Sequence, residues 1–538
     1  MSISPRTLRP SSTFTPRSIS GLALWLDASD SGSLFQNSDG TVPATASSDP
    51  VGYWGDKSGN GRHAVQATAA RRPSVIVPTG GTEMVNGRQA LWATGSSASG
   101  MTLGNISGAF PNSSGTAFFA YKVSAGTTSV GIDNTYSLAM SRANNVNSTN
   151  TDTGEEGLWR TTRLASYNST ALPRTSFGAS IYTIRSAADE YSLRSKGAQF
   201  FSTGTQNWNA GDSYHLWSDP GGTMTALGGW IGEALFYNRA LSVLEVQRVE
   251  RYLATRWGIT LAPQVANADA QDWVNRVYAN GGTVSSATAT AVNQFCVDIE
   301  SAGLRDRFRR LNLFCGTGLN ACLTPLYRAA SLGDTQLGNA TDTNVGPFVS
   351  GDYVESAGLT GTGNNGIGAG NSKHLRTGLT PATVGFSSGH LSAFIFGLNQ
   401  TAPNQSGIIA VRDNGSSQRW WLDYRQSSIV SEYTGNNFTT FAPPVSSTNS
   451  HIILSRTSLS SMRYFQNGSQ VGSEFTTSVS GTGGTADWPV FATLVDGSPT
   501  SYAPFRMGGY SIGIGMTPTQ AASYTTAMQA FQTAMSRA

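Results

Sequence analysis

The chain has 538 residues and a mass of 56.6 kDa, a length that predicts two to four domains at roughly 100 to 200 residues each. Only 12% of the residues are charged, 61 are glycine and 38% are hydrophobic, which favours strands joined by turns and excludes a disordered chain. The formal net charge of +3 gives no electrostatic footprint for nucleic acid or for an anionic membrane, so we expect neither partner.

Three cysteines, Cys296, Cys315 and Cys322, lie in one short stretch. An odd and sparse set in a chain of this length predicts buried free thiols in a reducing compartment, not a disulfide framework. Residues 1–18 lack the apolar segment of a secretory signal, and no run approaches the roughly 20 apolar residues that span a bilayer, so we expect no membrane insertion. We interpret residues 1–18 as an extended arm, either a disordered tail or a strap along a partner surface.

From about Ile19, short apolar segments bounded by glycine, asparagine, aspartate and serine predict an antiparallel β-sandwich. At Ser242 the hydrophobic period changes from two to about 3.6. Ser242 and Glu245 have the spacing of a capping box, and Gly258 is suited to end the helix that follows. A first sandwich closed by an α-helix is therefore predicted over residues 19–262.

Residues 263–330 have a helical composition, with two apolar stripes and a third short segment at 304–314. We predict a small helical linker there. The strand-and-turn texture returns over residues 331–538, where Asn467-Gly468 predicts a type I′ hairpin. Thr517 and Gln520 have the spacing of a second capping box, so a second sandwich ending in an α-helix is predicted.

Four segments of the first sandwich together resemble the concanavalin A-like lectin and laminin-G-like jelly rolls, most closely those of bacteriophage virion proteins. The segments are Ile19–Asp30 with Trp25 and Asp27, the loop Trp54–Gly61, Asn86–Leu91, and the ending Gly232–Asn238 through Tyr252–Gly258. The resemblance covers residues 19–262; the second sandwich matches only in its hairpin and its last strand and helix. It implies a mainly β fold of two concanavalin A-like antiparallel β-sandwiches, each ending in an α-helix and joined by the helical linker.

Two hydrolase motifs bear on whether the chain is an enzyme. Hydrolases of this fold carry alternating glutamate and aspartate on one concave strand, and the sequence has no Glu-x-Asp. The segment Gly509–Gly513 fits the Gly-x-Ser-x-Gly pattern, but that motif needs its serine at a strand-to-helix turn, and Ile514, Gly515 and Met516 intervene before the predicted cap. We therefore expect that the chain is not an enzyme.

Two candidate binding sites remain. If residues 419–425 form a strand, Trp421, Asp423 and Arg425 share one face, a combination that can stack on a sugar ring and hydrogen-bond its hydroxyls. The alternative is a tryptophan covered by a loop or a neighbouring subunit. Laminin-G-like domains sometimes hold calcium, so Asp56 and Asn60 form a possible calcium site; the alternative is a turn stabilised by side-chain-to-backbone hydrogen bonds. No other cofactor is expected.

These observations predict a bacteriophage virion structural protein, a tail or head fibre-type adhesin that presents lectin-like domains to host-surface glycans. We expect assembly in the host cytoplasm, attachment to other virion proteins through residues 1–18, and a symmetric homo-oligomer. Two alternatives stay open. One is a purely architectural capsid decoration or tail component, and the other is a polysaccharide-degrading enzyme.

Overall fold

The computed structural model describes most of the residues of the chain. These are residues 14–77, 85–93, 99–103, 114–123, 132–133, 141–142, 156–157, 179–187, 190–203, 214–217, 229–361, 373–385, 387–397, 406–412, 419–425, 428–432, 438–441, 449–476 and 485–537. The chain divides into two compact units, Met1–Ala262 and Pro263–Ala538. Over the described ranges it is mainly β, with several antiparallel sheets and six α-helices. In those ranges, no helix has the length and apolar character needed to cross a membrane.

The first unit contains one α-helix and a series of mostly short strands within the described ranges. The strands are β1 (Leu22–Asp27), β2 (Leu34–Phe35), β3 (Tyr53–Trp54), β4 (Ala64–Val65), β5 (Ser74–Ile76), β6 (Ala90–Ala93), β7 (Met101–Leu103), β8 (Gly115–Val123), β9 (Ile132–Asp133), β10 (Ser141–Arg142), β11 (Glu156–Gly157), β12 (Ser180–Ser186), β13 (Tyr191–Ser195), β14 (Ala198–Thr203), β15 (Tyr214–Leu216) and β16 (Gly229–Tyr237). The helix is α1 (Val243–Trp257).

Two of its sheets pack around one core. Sheet A has eight strands in the order β14-β13-β12-β8-β16-β6-β5, with β1 paired to β16; sheet B has six, in the order β2-β3-β4-β7-β15-β9. Alternate residues of both sheets, such as Leu24, Trp54 and Phe119, form a single buried cluster. The intervening residues of sheet A, such as Phe118 and Leu235, are buried in a second cluster with α1. This packing is consistent with a β-sandwich whose sheet A is covered on both faces.

Helix α1 has the predicted ends. The Ser242 hydroxyl accepts a hydrogen bond from the Glu245 amide, and the Glu245 carboxylate accepts one from the Ser242 amide at 2.9 Å, which completes the capping box. Gly258 ends the helix with φ of 62°, a conformation that glycine adopts without strain. The bulge in β16 lies at Gly232, where an added Cβ would lie 2.4 Å from the Trp257 ring. Only a glycine lets the helix approach the sheet this closely.

The second unit contains five α-helices and the remaining strands of the described ranges. The strands are β17 (Phe308–Asn312), β18 (Thr343–Val345), β19 (Tyr353–Val354), β20 (Gly358–Thr360), β21 (His374–Arg376), β22 (Gly389–Phe396), β23 (Ser406–Arg412), β24 (Arg419–Arg425), β25 (Ser428–Glu432), β26 (Phe438–Phe441), β27 (Ser450–Ser458), β28 (Ser461–Gln466), β29 (Ser469–Phe475), β30 (Pro489–Val490), β31 (Ala492–Val495), β32 (Ser498–Tyr502) and β33 (Arg506–Gly513). The helices are α2 (Ala268–Ala279), α3 (Ser286–Ser301), α4 (Leu319–Cys322), α5 (Pro381–Val384) and α6 (Pro518–Ala534).

Two larger sheets dominate this unit as well. Sheet C has the order β19-β20-β33-β22-β27-β28-β29, with β17 paired to β33; sheet D has the order β26-β25-β24-β23-β31-β32. Strands β23 and β31 run parallel, which corrects the expectation of entirely antiparallel sheets. The long stretch between them, which includes β24 to β30, provides the crossover that a parallel pair requires. A concanavalin A-like identity for either unit stays a prediction.

The predicted hairpin turn and the predicted helix cap of the second unit are confirmed. Asn467 and Gly468 both have positive φ, 50° and 83°, and connect β28 to β29 as a type I′ turn does. The Thr517 amide donates to the Gln520 side chain at 3.0 Å, and the Thr517 hydroxyl accepts from the Gln520 amide, so α6 begins with the predicted capping box.

The stretch predicted as a helical linker belongs to the second unit. Helices α2 and α3 form as expected, and α3 packs on α6 through Phe295 and Phe531, whose ring centroids lie 5.8 Å apart. Residues 304–314 do not form the expected third helix. After a 3₁₀ turn, Arg305–Arg307, they form β17, in which Arg310 is fully buried and bonded to Asp342. Pairing with β33 and this buried ion pair outweigh the helical pattern of the sequence.

The described end of the predicted N-terminal arm lies on the first unit itself. Phe14 packs edge-on against Tyr252, with ring centroids 5.9 Å apart. Pro16 is buried in a 3₁₀ turn, and the Tyr237 hydroxyl donates to its carbonyl oxygen at 3.0 Å. Residues 1–13 lie outside the described residues, so attachment to other proteins through them stays a prediction.

The close approach at Gly232 gives a test of the packing of α1. We expect Gly232→Ala to lower the free energy of unfolding by about 1 to 3 kcal/mol, because the methyl group overlaps the buried Trp257 ring. Gly333→Ala is the control, since a Cβ there meets nothing within 4 Å. Chemical denaturation of both variants measures the difference. Equal stability of the two variants would contradict this packing.

Candidate functional site

The first unit contains a buried cluster of charged groups, which we call the carboxylate cluster: Asp27, Glu233, Arg256 and Lys57. Asp27 of β1 and Glu233 of β16 are directly opposite partners in sheet A, and both are fully buried. Two adjacent buried carboxylates repel each other and lose their hydration, so they require strong partners. All four cluster residues lie in the segments that carry the jelly-roll resemblance.

Aromatic donors surround Glu233. The Trp25 indole donates to Oε1 at 2.7 Å, the Tyr252 hydroxyl to the same oxygen at 3.0 Å, and the Trp257 indole to Oε2 at 2.8 Å. Arg256 Nε lies 3.3 Å from Oε2. Both carboxylate oxygens are therefore bonded to protein donors.

Cations and a serine surround Asp27. Lys57 Nζ donates to Oδ2 at 2.8 Å, an Arg256 guanidinium nitrogen donates to the same oxygen at 2.6 Å, and the Ser29 hydroxyl donates to Oδ1 at 2.7 Å. Arg256 thus bridges the two carboxylates. Burial and the neighbouring Asp27 charge raise the pKa of Glu233 to about 7. Since all four carboxylate oxygens are occupied by protein donors, the cluster joins helix α1 and the loop of residues 54–61 to sheet A.

The predicted calcium residues lie in that loop. Asp56 Oδ1 accepts hydrogen bonds from the amides of Trp25 at 3.0 Å and Ser58 at 2.7 Å. Asp56 Oδ2 accepts from the Ser58 hydroxyl at 2.8 Å and the Arg62 amide at 3.0 Å, while the Asn60 amide group donates to backbone oxygens of β1. This geometry matches the alternative of a turn stabilised by side-chain-to-backbone bonds. Over the described ranges, no group of three or more His, Cys, Asp or Glu could hold a metal ion. Calcium binding stays a prediction.

The predicted sugar-binding residues lie on β24, where Trp421 is only 5% exposed and Asp423 is fully buried. The Trp421 indole donates to the Val411 backbone oxygen at 3.0 Å, and the side chain of Arg425 lies outside the described residues. The described side chains of this face are therefore covered, as in the alternative of a tryptophan that a loop or a neighbouring subunit covers. Trp420 is buried as well, so both faces of β24 are covered. The alternation of residues along the strand therefore does not predict which face is open to a ligand. Sugar binding at Trp421, Asp423 and Arg425 stays an untested prediction.

Sheet B presents a different surface. On four adjacent strands, Phe35, Tyr53, Val65 and Thr102 occupy directly paired positions and are half-buried. Their chain neighbours on the opposite face are the fully buried core residues Leu34, Trp54, Ala64 and Leu103. The outer face of sheet B therefore carries a row of half-exposed side chains that begins with two aromatic rings.

A histidine extends this surface into what we call the aromatic platform: Phe35, Tyr53 and His63. The Phe35 and Tyr53 ring centroids are 5.7 Å apart in an edge-on arrangement, and the His63 ring stacks on Tyr53 at 4.7 Å. His63 Nδ1 accepts the Asp56 amide hydrogen at 3.0 Å, which orients the ring and assigns the proton of the neutral imidazole to Nε2. The same loop that contacts the carboxylate cluster thus orients the His63 ring of the platform.

Polar groups border the platform. The turn at residues 37–41 lies against Tyr53, because a Cβ added to Gly40 would lie 3.6 Å from three of its ring carbons. Within the turn, Asp39 Oδ1 accepts from the Thr41 amide at 3.1 Å, and the Asn37 amide group donates to the Thr41 hydroxyl. Aromatic rings beside exposed amide, hydroxyl and carboxylate groups can stack on and hydrogen-bond a sugar ring. Sequence reasoning missed this surface because β2, β3 and β4 have two residues each, too few to show a period.

The Gly-x-Ser-x-Gly pattern of the second unit forms a buried pair. Ser511 lies within β33, fully buried, with its hydroxyl 2.8 Å from His390 Nε2, and His390 Nδ1 lies 2.8 Å from the Ile514 backbone oxygen. Burial lowers the pKa of His390 to about 4 and that of His451, which bonds the Thr525 hydroxyl of α6, to about 3. Both histidines are fully buried, so Ser511 is a structural residue between sheet C and α6 and is not an exposed nucleophile.

Comparisons with known proteins give distant likenesses. No protein-family model matches the chain, and no curated protein matches it. Among solved structures, a Trypanosoma rangeli sialidase in complex with sialic acid is 11% identical over 64% of this chain and 51% of that chain, with a TM-score of 0.28. Domain 4 of a GH43 extracellular arabinanase from Geobacillus stearothermophilus, in complex with arabinotriose, is 12% identical over 43% of this chain and 98% of that chain, with a TM-score of 0.27.

A third likeness is the CBM40 module of a Ruminococcus gnavus sialidase bound to α2,3-sialyllactose, which is 11% identical over 31% of this chain and 96% of that chain, with a TM-score of 0.24. These neighbours are carbohydrate-binding or glycosidase-like proteins. The matched part of this chain spans only about half of the sialidase chain. At TM-scores this low, the likenesses assign neither a fold nor an activity to the chain.

The neighbours do correct one expectation. The interpretation that the chain is not an enzyme is contradicted by sialidases and an arabinanase among the structures that it matches, and it is withdrawn. The sequence argument behind it weighed two local patterns, Glu-x-Asp on a single strand and Gly-x-Ser-x-Gly at residues 509–513. The structure brings Asp27 and Glu233 together from strands about 200 residues apart, an arrangement that no local pattern could show.

The carboxylate cluster predicts a stability effect. We expect Arg256→Met to lower the free energy of unfolding by about 2 to 3 kcal/mol, because it leaves Asp27 and Glu233 without their shared cation. This loss is smaller than that for a fully buried ion pair, because Arg256 is 30% exposed and water screens its charge. Arg251→Met on the exposed face of the same helix is the matched control and should change stability by less than about 0.5 kcal/mol. Urea denaturation measures both. Similar losses in the two variants would contradict a bridging role for Arg256.

The buried titratable groups predict opposite pH responses in the two units. In the folded chain the pKa of Glu233 is raised from 4.5 to about 7, so protonation of Glu233 stabilises the folded state. The first unit should therefore lose stability as pH rises from 4.5 to 7 and this proton is released. His390 and His451 bind protons less readily than their ordinary pKa of 6.5 implies, so the second unit should lose stability as pH falls from 6.5 to 4.

Hydrogen exchange measured by mass spectrometry separates these responses, with peptides from β16 for the first unit and from β22 and β27 for the second. Rates are corrected for the pH dependence of intrinsic exchange. Glu233→Gln should remove the slope in β16 and leave that of β22 unchanged. Parallel pH responses of the two units in the unaltered chain would contradict these assignments.

Proposed function

We propose that the chain binds carbohydrate, and that the aromatic platform on sheet B is the contact surface. The observation that carries the proposal is the row of half-exposed side chains from Phe35 and Tyr53 onward, bordered by the polar turn at residues 37–41. Sugars present apolar C–H faces edged by hydroxyl groups. A rigid aromatic surface with nearby donors and acceptors is complementary to both.

The finer form of the proposal is a bacteriophage virion adhesin that presents this surface to host glycans. Its support is the resemblance of residues 19–262 to virion jelly rolls. The surface is shallow, so each copy should bind weakly, and a symmetric homo-oligomer attached to the particle through residues 1–18 would convert weak contacts into avid binding. Assembly in the host cytoplasm belongs to the same proposal.

One observation favours the architectural alternative. Val243 and Leu244, in the first turn of α1, are 59% and 71% exposed. An exposed apolar pair of this kind is suited to contact a neighbouring subunit. Such a contact is compatible with glycan binding, because α1 covers sheet A and the platform lies on sheet B.

Loss of the central platform ring tests the proposal. We expect Tyr53→Ala to weaken binding at least tenfold, since His63 and Phe35 both contact the Tyr53 ring, while Tyr53→Phe should retain most of the affinity. The full chain is applied to a glycan array. Purified bacterial surface polysaccharides are tested separately against the immobilised chain. Tyr278→Ala, at a half-buried tyrosine of α2 in the second unit, is the matched control and should bind as the unaltered chain does. Equal binding by Tyr53→Ala, or no glycan bound by the unaltered chain, would contradict the proposal.

A further inference from the structure

The outer side of helix α1 forms a surface that we call the α1 face: Val243, Leu244, Arg248 and Arg251. Successive residues of a helix are rotated by about 100°, so these four side chains lie within about 140° of one another around the axis. Val243 and Leu244 are 59% and 71% exposed, and both arginines are exposed as well. The α1 face extends about 12 Å along the axis, and the opposite side of the helix packs on sheet A.

Helix α1 carries five charged side chains, and three of them form ion pairs with other parts of the first unit. Glu245 pairs with Arg239 at 2.6 Å, and the buried Glu250 pairs with Arg194 at 2.9 Å. Arg256 belongs to the carboxylate cluster. Both acidic residues of the helix are therefore neutralised away from the α1 face, and the two charges that remain are its arginines.

The contacts of these two arginines leave their positive charges in place. The Arg248 guanidinium lies over the Phe14 ring, 5.1 Å from its centroid, and Arg251 Nε donates to the Gln247 backbone oxygen at 3.2 Å. Among the described residues, neither arginine forms an ion pair with a carboxylate. The α1 face therefore combines two exposed aliphatic side chains with two guanidinium groups that have no acidic partner in the described part of the chain.

The charge of the α1 face selects the chemistry of its partner. Exposed aliphatic side chains beside guanidinium groups are complementary to a protein surface that presents apolar side chains and carboxylates together. A second α1 face would bring arginines against arginines, and residues 1–13 of the chain contain Arg6 and Arg9 but no acidic residue. Nucleic acid presents closely spaced phosphates without aliphatic side chains, so it would leave Val243 and Leu244 uncovered.

We propose that the α1 face binds an acidic amphipathic helix of another protein. Apolar side chains of that helix pack on Val243 and Leu244, and its carboxylates pair with Arg248 and Arg251. Residues three and four positions apart share one face of a helix, so a helix with apolar and acidic residues at that spacing presents both groups at once. The proposal names the chemistry of the subunit contact in the architectural alternative, and it does not depend on carbohydrate binding.

The test measures the fluorescence anisotropy of two labelled synthetic peptides titrated with the full chain. Both peptides are amphipathic helices with the same leucine stripe, and their polar positions carry glutamate in one and lysine in the other. We expect the glutamate peptide to bind about tenfold more tightly or better, because lysines placed against the two arginines repel them. The affinity of the glutamate peptide should fall as salt is added, since the paired charges are exposed.

Two variants separate the apolar part of the surface from its charge. Leu244→Ser should weaken the glutamate peptide about fivefold or more, because it removes the most exposed aliphatic side chain of the α1 face. Arg251→Gln should weaken it about threefold or more and should not weaken the lysine peptide. Val349→Ser and Arg506→Gln, at exposed positions of the second unit, are the matched controls and should bind as the unaltered chain does.

Each outcome decides the proposal. Equal binding of the two peptides, unchanged binding by either variant of the α1 face, or no binding of the glutamate peptide to the unaltered chain would overturn it. Leu244 and Arg251 are both exposed, so neither substitution should unfold the chain. Tyr53→Ala should leave peptide binding unchanged. Tyr53-dependent glycan binding without peptide binding would remove the α1 face alone, and the reverse result would remove only the aromatic platform.

Discussion

The first unit depends on the pairing of Asp27 with Glu233 beneath helix α1. Two carboxylates on adjacent strands, both fully buried, would be unstable without compensation. Arg256 supplies it from the helix and Lys57 from the loop of residues 54–61. Because the four partners come from four separate segments of the chain, the charges can be satisfied only when strand β1, strand β16, the loop and the helix are all in place.

This constraint determines which surfaces are left for binding. With α1 held on sheet A, the outer face of sheet B becomes the exposed side of the sandwich, and the loop fixed by Lys57 also positions His63 through the Asp56 amide. A single buried cluster therefore connects the stability of the unit to the geometry of the aromatic platform.

The sequence predicted features that depend on close neighbours. The caps of α1 and α6 join residues three positions apart, and the hairpin at Asn467 requires only its own backbone conformation, so these are confirmed. Features that depend on distant partners were missed. The arginines of residues 305–310 indicate a solvated helix, yet Arg310 is buried against Asp342 in β17, and Trp421 lies on a strand with both faces covered. The aromatic platform is assembled from two-residue strands that no periodicity can show.

The central claim is that carbohydrate binds to the outer face of sheet B. Hydrogen exchange of the full chain, measured with and without a glycan that it binds, tests this claim most directly. Slower exchange in peptides covering residues 33–41 and 53–65 is the predicted result. Protection confined to residues 406–425, where the sequence placed a sugar site, or a bound glycan that protects neither segment, would contradict it.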